Sequence, residues 1–247
     1  MMIIPLLLVL AQEVVDPDKV VATVLDRKVT AREIGWKTPA DLATPPPGTC
    51  GPNHPVSNLQ SLVWKDVARR YIETNGLKAT PGELQELVDW TKQFEEKDRK
   101  RRAKDLAEIE EKLKIPGIPD GERRQLENRR ETLLSLAKGD QRRDDLEREQ
   151  PEIAAKSRAE IHGLWIESSK LDVALHQEFG GTVAITKFGQ VPVGARTALL
   201  RRTAKEGKLT FADPGLERLF WEDADARPRR VAEPGKVDLR PYWKLDR

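Results

Sequence analysis

The chain has 247 residues, 38% of them hydrophobic and 34% charged, with a net charge of +2. That length gives one or two domains, and Lys and Arg interleaved with Asp and Glu exclude the segregated basic patch of a nucleic-acid binder. One cysteine, Cys50, excludes an internal disulfide and a paired-cysteine zinc site.

The first residues, Met1 to Gln12, are an apolar run ending near a small residue, Ala11. The run is too short to span a bilayer, which takes about 20 residues. It has the length of a signal-peptide core, so 1–12 reads as a leader and the protein as exported, into the periplasm or another extracytoplasmic space. A buried strand or a mis-set start codon is the other reading of the same run. No other stretch of the sequence is apolar enough to cross a membrane.

Val20 to Leu25 is short and β-branched, and Val29 can pair back on it after a turn at Asp26-Arg27-Lys28. Thr30 with Glu33 three residues on is a capping box that starts a helix. Thr38 to Pro55, with Pro45-Pro46-Pro47 at its centre, is a surface loop, because proline fixes φ and removes donors. Asn58 to Thr74 carries Leu59, Leu62, Val63, Val67 and Tyr71 at helical spacing and ends at Asn75-Gly76. Thr80-Pro81-Gly82-Glu83 starts the next helix, with Thr at the N-cap and Pro in the first turn.

Between Phe94 and Trp165 there is no Phe, Tyr or Trp. Residues 92–150 instead hold 17 basic and 16 acidic side chains. Such a block cannot build its own globular core. Leu106, Ile109 and Leu113, then Leu126, Leu133 and Leu136, form a narrow heptad-like seam broken by Ile115 to Gly121. The spacing predicts an antiparallel, coiled-coil-like helical hairpin over 95–150, with its exit at Gly139-Asp140; disorder is the alternative. A return helix from Pro151 carries Ile153, Ile161, Leu164, Trp165, Leu171 and Leu175. After Gly180-Gly181 come a strand at Thr182 to Thr186, a helix at Val193 to Glu206, a short strand at Leu209 to Phe211, and a helix started by Asp213-Pro214. The tail, 223–247, is rich in Arg, Pro and Asp and is expected to be loose.

The expected fold is mainly α with a few short strands: one discontinuous domain, 13–94 plus 151–222, with the hairpin inserted. Val21-Ala22-Thr23-Val24, Lys28-Val29-Thr30, Leu62-Val63-Trp64 to Tyr71-Ile72, Asn75-Gly76-Leu77 and Thr80 to Leu84 resemble the N-terminal chaperone module of the SurA, PrsA and trigger-factor group. The turn departs from that family, which often has Asn-Gly where this chain has Asp26-Arg27. The resemblance covers about a third of the chain. It implies a module completed by a distant helix, here Ile153 to Phe179, and a role in holding unfolded or extended polypeptide. The family often adds a parvulin-type prolyl isomerase domain. Phe179-Gly180-Gly181 to Phe188-Gly189-Gln190 faintly echoes one, but its Arg-Ala-x-His-Ile strand is absent and the remaining chain is too short.

Catalytic patterns are missing: the sequence has no Gly-rich phosphate loop and no Gly-x-Ser-x-Gly elbow. His162 and His176 lie too far apart on one predicted helix to act together. No cofactor or metal is expected. Candidate polypeptide-binding residues are Trp64, Tyr71, Trp90, Trp165, Phe220 and Trp221, with core packing as the competing role of each. Trp64 lies off the Leu59–Val63–Val67–Tyr71 stripe and is the best placed to face outward. An adaptor that docks one specific partner through the hairpin is the second functional reading, and a degenerate isomerase the third.

Overall fold

The computed structural model describes residues 14–42, 53–187, 189–233 and 235–245. The leader at 1–12, Cys50 and the Pro45–Pro47 run lie outside the described residues. The fold is mainly α-helical with a few short antiparallel strands. The chain divides into two compact units, one of residues 1–77 with 169–242, the other of 78–168 with 243–247. The division falls at 78 and 168, whereas the sequence reading placed the hairpin boundaries at 95 and 150.

The first unit is organised by a three-stranded sheet in the order β2–β1–β5, from β1 (Val20–Val24), β2 (Arg27–Thr30) and β5 (Leu209–Phe211). The turn between β1 and β2 is Leu25-Asp26, both at positive φ, one residue earlier than the sequence suggested. That geometry is the two-residue hairpin turn whose twist matches the strands. A register shift between Val20 and Ala22 lets the adjacent Val21 and Ala22 both be buried. On its other edge β1 pairs with β5, Ala22 opposite Phe211 and Val24 opposite Leu209.

Helix α1 (Ala31–Ile34) has the expected capping box: the Thr30 hydroxyl accepts from the Glu33 amide, and the Thr30 amide donates to Glu33 Oε2 at 2.8 Å. Helix α2 (Pro55–Thr74) begins three residues before the predicted Asn58. Pro55 fits the first turn because its missing N–H would be unsatisfied there anyway, and His54 Nδ1 accepts from the Val56 amide at 3.3 Å. Val56, Leu59, Val63, Val67 and Tyr71 form its buried stripe. The core also takes Leu171 and Leu175 from α5 (Pro151–Phe179), Leu199 and Leu200 from α6 (Val193–Lys205), and Leu216, Leu219 and Phe220 from α7 (Pro214–Ala224). Asp213 caps α7 by accepting from the Leu216 amide at 3.0 Å.

Gly194, at the start of α6, is held against the Gly180-Gly181 turn, with its amide donating to Thr182 O at 2.9 Å. A Cβ at Gly194 would meet the Thr182 nitrogen at 2.5 Å. Gly194→Ala is therefore expected to lower unfolding free energy by about 1–3 kcal/mol, the usual cost of overpacking, as read by urea denaturation. An unchanged midpoint would mean that the turn can yield.

β3 (Ala184–Thr186) and β4 (Gly189–Val191) form a second, two-stranded sheet. The sequence reading missed β4. The tail after α7 is not loose: Ala184 and Val231 make a β-bridge, and a 3-10 turn spans Tyr242–Lys244.

The second unit contains α3 (Pro81–Leu113), α4 (Asp120–Glu149) and residues 151–168 of α5. Interhelical ion pairs fix an antiparallel register: Glu95–Arg143, Arg99–Asp144, Arg102–Asp140, Asp105–Arg129 and Glu110–Arg130. Ile109 and Leu133 are buried; Leu106, Leu113 and Leu126 are half-buried. Leu136, assigned to the seam from its spacing, is 48% exposed. Gly139 lies inside α4 and is not the hairpin exit; the helix runs on to Glu149 and breaks at Gln150-Pro151. Exposed ion pairs contribute about 0.2–1 kcal/mol each. The ladder, Arg99–Asp144 with two bonds of 2.8 Å above all, therefore sets which residues of the two helices face each other more than it adds to stability.

Candidate polypeptide-binding surface

In the first unit the aromatic candidates are consumed by packing. Phe220 is fully buried, 5.0 Å from both the Phe211 and Trp221 rings. It cannot meet a partner, which corrects its assignment as a surface residue. Tyr71 is likewise a core residue, and its hydroxyl donates to Glu178 Oε2 at 2.5 Å. Burial, followed by the adjacent carboxylate, pushes the Tyr71 phenol up to about 12. The same hydrogen bond, with Arg202, holds the Glu178 carboxyl below its ordinary range.

Trp64 is half-buried against the core, and the Arg196 guanidinium lies over its ring at 5.1 Å. Trp221 is half-buried under Arg201, 4.6 Å from the ring centroid. Both indoles thus have a cation on one face and present little free apolar surface.

The second unit differs. Trp165 is 45% exposed, its ring 5.6 Å from that of His162. Trp90 is half-buried and stacks at 5.0 Å on Phe94, itself half-exposed. On α5, Ile153 and Leu164 are 58% and 66% exposed, and Ile161 is about as exposed as Trp165. At 3.6 residues per turn these four fall within roughly a third of the helix circumference. Leu146 on α4 is exposed in the same unit. The sequence groups Ile153, Ile161, Leu164 and Trp165 with Leu171 and Leu175 as the apolar residues of this helix. The buried face is the one carrying His162 and Ile166. Apolar residues occur on both faces, so spacing alone does not separate them.

His162 is nearly inaccessible, and its Nδ1 has no hydrogen-bond partner. Burial and then Arg158 hold the imidazole below its ordinary pKa, against a smaller opposing effect of Glu95. A histidine with a depressed folded pKa is neutral in the native state and takes up a proton on unfolding. Its contribution to stability is therefore present above about pH 6.5 and lost as pH falls. The urea midpoint should fall more between about pH 7.5 and about pH 5.5 in the wild type than in His162→Gln; equal slopes would remove His162 as the cause.

Among the described residues, no group of three or more His, Cys, Asp or Glu side chains is placed to hold a metal ion, and no helix is long and apolar enough to cross a membrane. His54 caps α2, and His162 and His176 lie far apart on α5. What the arrangement offers is apolar area on α5. No protein-family model, no curated protein and no solved structure matches the chain.

Proposed function

We propose that this protein is an exported, chaperone-like factor that holds unfolded or extended polypeptide non-covalently, using the apolar face of α5 in its second unit. The observation that carries the reading is the exposure of Ile153, Ile161, Leu164 and Trp165 on one side of a helix in a unit rich in charged residues. Burying a large apolar side chain contributes about 1.5–3 kcal/mol whatever the partner's sequence, so such a face suits many clients. The resemblance of residues 20–94 to the SurA, PrsA and trigger-factor module supports the same reading. Of the six aromatic candidates, Trp165 lies on this face, Trp90 is half-buried against Phe94 in the same unit, and Tyr71 and Phe220 belong to the core of the first unit.

The test is suppression of aggregation of several unrelated unfolded proteins, followed by light scattering. Wild type in several-fold molar excess should suppress it. The triple variant Ile161→Ser, Leu164→Ser, Trp165→Ser should capture client at least tenfold more weakly, a loss of about 1.4 kcal/mol or more, with its helical circular dichroism retained. No suppression by the wild type would sink the reading. Capture of one partner and no other would move it to the adaptor reading, in which the hairpin docks a specific protein. An isomerase reading has less support: β5 pairs with β1 of the first unit rather than building a separate domain with β3, β4 and α6.

A further inference from the structure

The tail that follows α7 lies on the two-stranded sheet in an unusual way. The Ile185 amide donates to Arg230 O and the Ala232 amide donates to Val183 O, both at 2.9 Å, so residues 230–232 extend the sheet beside β3. On β4, the Gln190 side chain completes the attachment. Its Nε2 donates to Lys236 O at 3.0 Å and its Oε1 accepts from the Asp238 amide at 2.9 Å. A side-chain amide thus reproduces the donor–acceptor pair of a neighbouring strand.

All four contacts are to the main chain of the tail. None reads a tail side chain. Of residues 229–233 only Ala232 is buried; Val231 is 40% exposed, and Arg229, Arg230 and Glu233 point to solvent. The stretch 230–232, held by its backbone and one small side chain, is replaceable by another extended segment with a small residue at that place, as in recognition by strand addition to a sheet edge. Three residues paired through two hydrogen bonds also form a weak strand, because each such bond is worth only about 0.5–1.5 kcal/mol net.

We propose that the β3 edge, together with the Gln190 clip, is a seat for extended polypeptide, and that residues 230–232, with Lys236 and Asp238 at the clip, occupy it in cis as a self-ligand that an incoming strand must displace. The ligand class is an extended peptide with a small side chain at the position of Ala232 and no demand on its neighbours. This seat uses elements other than the α5 face, so the proposal does not rest on the function proposed above and can survive its failure.

The experiment uses the full chain and a fluorescein-labelled synthetic peptide of residues 226–240. Ala232→Pro removes the N–H that bonds Val183 O and should release the tail. The double variant Ala232→Pro, Gln190→Ala removes the clip as well. Amide exchange at Ile185 reports whether the edge is free, and circular dichroism reports whether the chain remains folded. By fluorescence anisotropy, Ala232→Pro should bind the peptide at least tenfold more tightly than wild type does, because the tethered tail competes at an effective concentration of order millimolar. Adding Gln190→Ala should weaken that binding. A peptide carrying the same Ala232→Pro change should not bind, whereas one with Arg229→Ala and Arg230→Ala should bind as well as the original. A freed Ile185 amide without peptide binding would overturn the proposal. So would an Ile185 amide that stays protected in both variants, or loss of the fold in Ala232→Pro, since either would make the tail an integral strand. Aggregation assays of the α5 face are read separately, so failure of one reading leaves the other intact.

Discussion

Phe220→Ala should lower the unfolding free energy by about 3–5 kcal/mol, the range for truncating a buried phenylalanine. Phe220 has no solvent exposure and packs between Phe211 of β5 and Trp221. Its carbonyl also accepts from Gln60 Nε2 of α2 at 3.0 Å. Deleting the ring therefore opens a void where α7, the sheet and α2 meet, and those elements can close on it only partly because each is fixed by other buried residues. Against a total stability of about 5–15 kcal/mol for an ordinary domain, this is a large share. Urea denaturation followed by circular dichroism measures it. The result also decides between two roles for this side chain. A core residue loses stability, whereas a client-contacting residue would lose capture at unchanged stability. The second outcome would overturn the placement of Phe220 in the core.

The local signals were legible because they depend on residues a few positions apart. Thr30 with Glu33, Thr80 with Glu83, and Asp213 with Pro214 each start a helix where their chemistry says one should start. The return helix from Pro151 and the strand at Leu209–Phe211 are present too. What the sequence hides is mostly long-range. Nothing in Leu209-Thr210-Phe211 states that it will pair with Val24-Thr23-Ala22. Residues 230–232 have no apolar alternation because they are held by main-chain bonds, so composition made them look loose. The candidate surface was half legible. Trp165 stood out as an aromatic, but the stripe of Ile153, Ile161 and Leu164 continues along α5 into Leu171 and Leu175, which are buried, so spacing alone does not show where the stripe becomes exposed. The Leu25-Asp26 turn was missed for a different reason: Leu is rarely placed at positive φ, and the strand twist overrode that preference.

Arg196→Met should cost about 3–5 kcal/mol at neutral pH, the usual result of leaving a buried charge without its partner. Arg196 of α6 grips Asp172 of α5 through three contacts of 2.7–2.9 Å. The carboxylate side chain is only 14% exposed. Burial raises the Asp172 pKa above its ordinary value, and the attraction and hydrogen bonds of Arg196 offset only part of that rise. The sign follows from proton binding. With a raised folded pKa, the native state takes up a proton more readily than the unfolded chain, so stability declines as pH rises through the interval between the two values. Removing Arg196 raises the folded pKa further and carries the decline to higher pH. The deficit of the variant should thus be largest at about pH 7 and shrink toward about pH 4, where Asp172 is neutralised. Asp172→Leu in the same chain should recover much of the loss, because a hydrophobic pair of similar volume replaces a buried ion pair at little cost. Trp64, stripped of the guanidinium 5.1 Å above its ring, supplies an independent optical signal. Its emission should change in Arg196→Met and not in variants of the hairpin ion pairs. A deficit below about 1 kcal/mol, or one independent of pH, would mean that water reaches Asp172 and that the pair behaves as a surface salt bridge.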